Sequence, residues 1–497
     1  MTALPAAINP RPSWLIVPGA LVLALAAGRV GAMGSPFLAA VAAVAFLAIG
    51  FYAFLGTRLR GLFLGFLVIV LAGYAFGGRG FAYMGAAPLY IGEVTLAIGV
   101  GAVFANGFHN RFGGLHYLLL AFIGWGLLTT VPYISPVGVD ALRDAAFWGY
   151  SVFALAMWAL VTRREQFVTL IRAYRFIVPV FLFLLPVIWL AHTNIQGTLP
   201  RFPNAPVPFP FFKAGDVGVH LAGVAAFILL GLYRGERGSR RVPELFLWLA
   251  WGLGLMIVVL TNRGGFLSAA VGIAALVVLR PSFKMVPIFA AGAVLVVLAA
   301  VVNPSITING NEFSADRVTG RASSIVDREG ERQGTIEWRM DWWGTIIGYT
   351  FQGEYFWTGK GFGADLAAED GFLGQSVGLR SPHNATMTAL ARMGVPGLMI
   401  WLAFHVGFGL SMLKAYLSAQ RRGDLFWSSI IAWLLIYWGA GIINGSFDVY
   451  WEGPQGAIWM WTVIGLGLAA MEIQRREQLA PPPSSEAAHG PPRQLAR

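Results

Sequence analysis

The stretch Arg380-Ser381-Pro382-His383-Asn384 places one histidine where a long polar loop re-enters an apolar helix. Pro382 sits badly inside a helix, so it belongs to the turn leading in, with His383 at the first helical positions. A helix N-terminus disfavours imidazolium and keeps the ring neutral near pH 7, as a general base requires. Asn384 is its supporting neighbour. Standing alone, such a histidine reads first as an interfacial residue or a simple cap, and it is the company it keeps that points to chemistry.

Two other segments bring cations. Arg263 lies in the turn Thr261-Asn262-Arg263-Gly264-Gly265, between two apolar runs and too short to let the side chain wander. A charge there faces a cavity, a partner or the headgroup layer, and snorkelling to lipid phosphate is the plain alternative. Gly264 and Gly265 leave backbone amides open near a helix start, a ready anion site. Arg201 and Lys213 flank a Phe/Pro-rich loop whose rings mostly suit the interfacial belt. Asp216 reads as a helix cap, and Glu93 as the partner of an arginine in the bundle. Asp365, Glu369 and Asp370 read as a solvated loop face, with no metal site intended. Anchored arginines with one histidine suit an anionic, lipid-linked substrate. Guanidinium forks match a diphosphate and stabilise it as a leaving group without a metal, while the histidine takes a proton from an attacking hydroxyl. The chemistry is group transfer from a lipid diphosphate.

The elements that must position these groups are membrane helices. Of 497 residues, 57% are hydrophobic and 12% charged, with mean hydropathy +0.66. Apolar runs of spanning length recur from Trp14 almost to Met471. The fold class is an all-α polytopic membrane protein of about fourteen transmembrane helices, within a range of roughly twelve to fourteen. The runs fall near 14–28, 36–56, 61–76, 87–105, 115–132, 145–161, 167–191, 215–233, 243–260, 264–280, 284–302, 384–412, 426–445 and 455–472. The first run lacks a small-residue cleavage site and reads as an uncleaved anchor. Basic clusters occupy alternate loops, which puts both termini in the cytoplasm and the candidate residues on the outer face. This division gives eleven helices in 1–302, a periplasmic loop domain in 303–383, three helices in 384–478 and a disordered cytoplasmic tail in 479–497. The loop carries eleven acids against seven bases, a net charge of −4. Within it, Ile336, Met340, Trp343 and Ile347 fall at helical spacing, an amphipathic helix lying on the bundle or membrane surface. The formal charge of +11 is spread over short loops, so no nucleic-acid partner is implied. The chain has no Cys, which excludes disulfides and thiolate chemistry.

His383-Asn384 followed after nine residues by Gly394-x-x-Gly397 resembles the signature of the O-antigen ligase and O-antigen polymerase superfamily. Thr261-Asn-Arg263-Gly-Gly is similar to that family's inter-span arginine turn. Trp338-Arg339 and the later Gly359-Lys-Gly361-Phe-Gly363 resemble its Arg/Trp helix and Gly-Phe-Gly segment. The resemblance covers roughly residues 80–470. It implies a GT-C-like, metal-independent, inverting glycosyltransferase of the inner membrane with no cofactor. Such an enzyme acts at the periplasmic face on undecaprenyl-diphosphate-linked glycan donors and a glycan or lipid-linked sugar acceptor. By the same resemblance His383 is the base and Arg263 and Arg339 bind diphosphate, with Arg201 or Lys213 as the further contact. The chain departs from the usual ligase by about two extra spans and a longer external loop, which leaves the acceptor open.

A transporter or flippase of lipid-linked glycans is the alternative from another class, but it would line both halves of a path with charges. A metal-dependent GT-C enzyme would want an acid in the first external loop, and Gly28–Pro36 has none.

Overall fold

The computed structural model describes residues 36–86, 89–108, 110–203, 205–234, 242–280, 306–308, 311–313, 333–373 and 379–479. Apolar segments with no water to pair their backbone must satisfy it internally, and the described chain is accordingly mostly helical. In chain order the helices are α1 Pro36–Leu55, α2 Leu59–Phe81, α3 Ile91–Asn106, α4 Gly114–Thr130, α5 Val139–Gly149, α6 Val152–Leu160 and α7 Arg164–Asn194. They continue with α8 Ala214–Leu229, α9 Glu244–Thr261, α10 Arg263–Leu279, α11 Gln333–Ile347, α12 Ala385–Arg421, α13 Leu425–Gly445 and α14 Pro454–Leu479. One-turn helices at Ile134–Val137 and Leu366–Glu369 lie between them. Two small antiparallel hairpins, 85–86 with 89–90 and 306–308 with 311–313, are the strands among the described residues.

Seven helices among the described residues, α2, α4 (extended through Val137), α7, α9, α12, α13 and α14, are long and apolar enough to cross a membrane. Three shorter apolar helices, α3, α8 and α10, accompany them. The expected run 145–161 is broken at Tyr150-Ser151, where the Ser151 hydroxyl donates back to the Trp148 carbonyl at 2.6 Å. The runs 14–28 and 284–302, and the tail from 480, lie outside the described residues.

Two close approaches set the site. A Cβ on Gly218 of α8 would fall 2.1 Å from the Gly265 carbonyl of α10, so only glycine lets these helix starts lie side by side. In α12, Gly394 adopts φ +66°, breaking the helix just above Pro396; a Cβ there would meet the Phe356 carbonyl at 2.5 Å. The first turns of α12 therefore form a separate piece that carries the histidine turn.

Helix α11 forms as expected, but on a different face. Trp342 and Ile346 are fully buried, whereas Met340 is 57% and Ile347 42% exposed. The sequence offers two apolar stripes one residue apart, and packing against Ala364, Leu366 and Leu390 selects the one centred on Trp342.

Candidate functional site

Asn384 takes the N-cap of α12, its Oδ1 accepting from the Thr386 and Met387 amides at 2.9 and 3.1 Å. His383 thus precedes the helix instead of occupying its first positions, and it has φ +54°, a left-handed conformation unusual for a residue with a side chain. The Trp343 indole donates to the neighbouring Pro382 carbonyl at 3.0 Å, and the Trp338 ring stands edge-on to the imidazole at 6.4 Å. Burial pushes the His383 pKa down to about 4; Arg339 and Lys213 act in the same direction and Asp448 opposes them. The ring is neutral at pH 7 chiefly through desolvation, not through the helix terminus expected from sequence.

An Arg339 Nη2 lies 3.4 Å from His383 Nδ1. A guanidinium can only donate, so Nδ1 carries the lone pair and the neutral ring bears its proton on Nε2. The other terminal nitrogen, Nη1, donates to the Phe447 carbonyl at 3.2 Å, while Nε is buried with no hydrogen-bond partner among the described residues. Burial lowers the Arg339 pKa, with Asp448 opposing.

Next along the chain, Asp448 forms an ion pair with Lys213 at 3.0 Å, and Asp216 joins it at 3.7 Å. Burial works to lower the Lys213 pKa, but Asp216 and Asp448 outweigh it and hold the ammonium charged. Asn444 is fully buried, and neither of its amide atoms has a hydrogen-bond partner among the described residues. Its Oδ1 lies 2.9 Å from where a Cβ on Gly215 would sit, so the start of α8 is cut away to admit it. On the other side, a Cβ on Gly264 would meet the Phe447 side chain at 3.3 Å, which brings the first turn of α10, begun by Arg263, to the same loop. The Asn262 side chain caps that turn by accepting from the Gly265 amide at 2.7 Å.

Phe447-Asp448 is therefore the point around which His383, Arg339, Lys213 and the start of α10 gather. In the sequence, an acid, an asparagine and a backbone carbonyl in the stretch 444–454 carry no motif that marks them. Arg201 is exposed, with no ion pair among the described residues, and is not brought into this cluster. Asp216 does not cap α8, because Lys213 occupies the N-cap and the carboxylate turns to its ammonium. Glu93 bonds the Tyr150 hydroxyl at 2.5 Å and the Tyr90 amide at 3.1 Å, closing the start of α3, and no arginine among the described residues pairs with it. Asp370 is buried, not solvated: it binds Lys360 and the Trp342 indole, both at 2.6 Å.

Apolar helices of spanning length, with polar and charged side chains gathered where His383, Arg339, Lys213 and Asp448 meet, define a membrane protein with a polar cluster at its helix ends. Residues 245–402 match the O-antigen ligase family, a segment holding Arg263, Arg339, His383 and Asn384. This segment match supports membership of the O-antigen ligase and polymerase superfamily, whose members are glycosyltransferase-like enzymes, and together with the apolar helices it marks a multi-pass membrane protein. Lys213 and Asp448 lie outside the matched segment. No curated protein matches the chain.

Proposed function

We propose that the enzyme transfers an oligo- or polysaccharide from undecaprenyl diphosphate to a hydroxyl of a second glycan or of a lipid-linked sugar, at the periplasmic face. The acceptor oxygen attacks the anomeric carbon and forms the new C–O bond with inversion. The bond from that carbon to the diphosphate oxygen breaks, and its electron pair leaves with the lipid diphosphate. The acceptor proton passes to His383.

The observation that carries this reading is the contact of a neutral, buried imidazole with a guanidinium that has an unpartnered nitrogen. Arg339 releases Nδ1 as the acceptor hydroxyl docks there, and turns its fork to the leaving diphosphate beside Arg263. These guanidinium charges supply the stabilisation that a divalent ion gives in other glycosyltransferases. Lys213 is held by two carboxylates, so it orders Asp448 instead of meeting the diphosphate. Arg201, on the exposed loop ahead of it, is the outer contact as the lipid arrives. In this reading helices over 1–302, an outer loop over 303–383, helices over 384–478 and a tail over 479–497 make a GT-C-like arrangement with both termini cytoplasmic.

Complementation tests the reading. The gene should restore the surface glycan ladder in a strain lacking either its ligase or its polymerase, and His383→Ala should not. Failure to restore either ladder at normal membrane levels contradicts it. Activity of purified enzyme that vanishes in EDTA and returns with Mg²⁺ would contradict the metal-free mechanism.

A further inference from the structure

We propose that Asp144, on α5 and well ahead of the family-matched segment, is the positioning residue that sets His383 for proton transfer. The inference rests on the reading of His383 as the base. Its carboxylate is 9% exposed, and one oxygen, Oδ2, lies 3.3 Å from Arg380 Nη2 and 3.1 Å from Arg392 Nη2. These arginines bracket the histidine, one three residues before it and the other nine after. A single oxygen thus fastens both ends of the stretch that holds the imidazole.

The same arginines bind the glycine-rich turn. Arg380 reaches the Gly363 carbonyl and Asp365 Oδ2, both at 3.2 Å, and Arg392 reaches the carbonyls of Gly361 and Ala364 at 3.2 and 3.1 Å. Arg380 has other acids, Asp365 and Asp140. Arg392 is 1% exposed, and Asp144 is its one ion-pair partner among the described residues. A buried guanidinium that loses its countercharge pulls on whatever carbonyls remain. Those carbonyls belong to the turn under the histidine stretch. The left-handed backbone at His383 is therefore held from outside, by a carboxylate on a different helix. A base misplaced by about 1 Å loses roughly 100-fold in rate, so a tether of this kind acts on turnover more than on binding.

The test uses full-length enzyme and three variants: Asp144→Asn, Asp144→Glu, and the double variant Asp144→Asn/Arg392→Met. The quantities measured are kcat, donor KM, thermal midpoint and the acid limb of the pH–rate profile. Asp144→Asn should lower kcat roughly 10- to 100-fold while donor KM stays within about threefold. Its acid limb should move upward, because an imidazole released from its seat regains water. Asp144→Glu should recover part of kcat. The double variant removes the uncompensated charge but leaves the Gly361 and Ala364 carbonyls unpaired, so its thermal midpoint should recover part of the way while kcat stays low. Recovery of kcat together with stability in the double variant would reduce Asp144 to a structural ion pair and overturn the proposal. Wild-type kcat and pH profile in Asp144→Asn, with His383→Ala inactive, would overturn it while sparing the base. Transfer that survives His383→Ala would remove the base, and this inference with it.

Discussion

Asp448 holds the Lys213 ammonium at 3.0 Å, and through that pair the loop after α13 is locked to the start of α8 beside His383. Two acids share one lysine there, since Asp216 also reaches it at 3.7 Å. Removing the cation alone strands both carboxylates in a largely buried place. Lys213→Met should therefore cost about 3 kcal/mol of stability, the usual range for breaking a buried pair, and lower the amount of folded enzyme. Lys213→Met/Asp448→Asn should recover much of that stability. A Lys213→Met enzyme with normal thermal stability but a sharply raised donor KM would instead make Lys213 a diphosphate ligand.

Arg263 begins α10, and in its proposed role a guanidinium fork, not a point charge, is what a diphosphate demands. Arg263→Lys keeps the charge and should raise donor KM or lower kcat/KM by roughly 10-fold or more, about 1.4 kcal/mol or above. Near-normal kcat/KM for the lysine variant would point to a lipid-headgroup contact.

The pH dependence carries a definite sign. Burial lowers the His383 pKa to about 4, so the neutral, basic ring is kept until the pH falls through that value. Asp448, Arg339 and Lys213 are the charged groups whose fields reach it. The acid limb of kcat/KM should lie well below the ordinary histidine value of about 6.5. A limb centred near 6.5 would mean a solvated imidazole and a different seat for the ring.

Much of the helical order was legible because apolar runs of spanning length have few folded alternatives in lipid. His383, Asn384, Arg263 and Arg339 stood out because histidine and arginine at helix mouths, with Gly and Asn around them, leave local marks. Asp448, Asn444 and the Asp144 tether left none. They act across long separations in the chain, joining α13 to α8 and α5 to α12, and no spacing rule reports such a meeting. The buried face of α11 was misread for a related reason: periodicity offered two stripes, and only packing against Leu366 and Leu390 could choose. Asp370 looks solvated in the sequence because the lysine that pairs with it, Lys360, is itself largely covered, an uncommon setting for a lysine.

Single-turnover transfer by His383→Ala and His383→Gln, with donor affinity measured on the same preparations, tests the central claim most directly. His383→Ala should lose about two to four orders of magnitude in the transfer rate, while donor affinity stays close to wild type. His383→Gln should be nearly as slow, since an amide can hydrogen-bond Arg339 but cannot take the acceptor proton. Substantial transfer by His383→Gln, or a loss in His383→Ala confined to donor affinity, would contradict the assignment of His383 as the base.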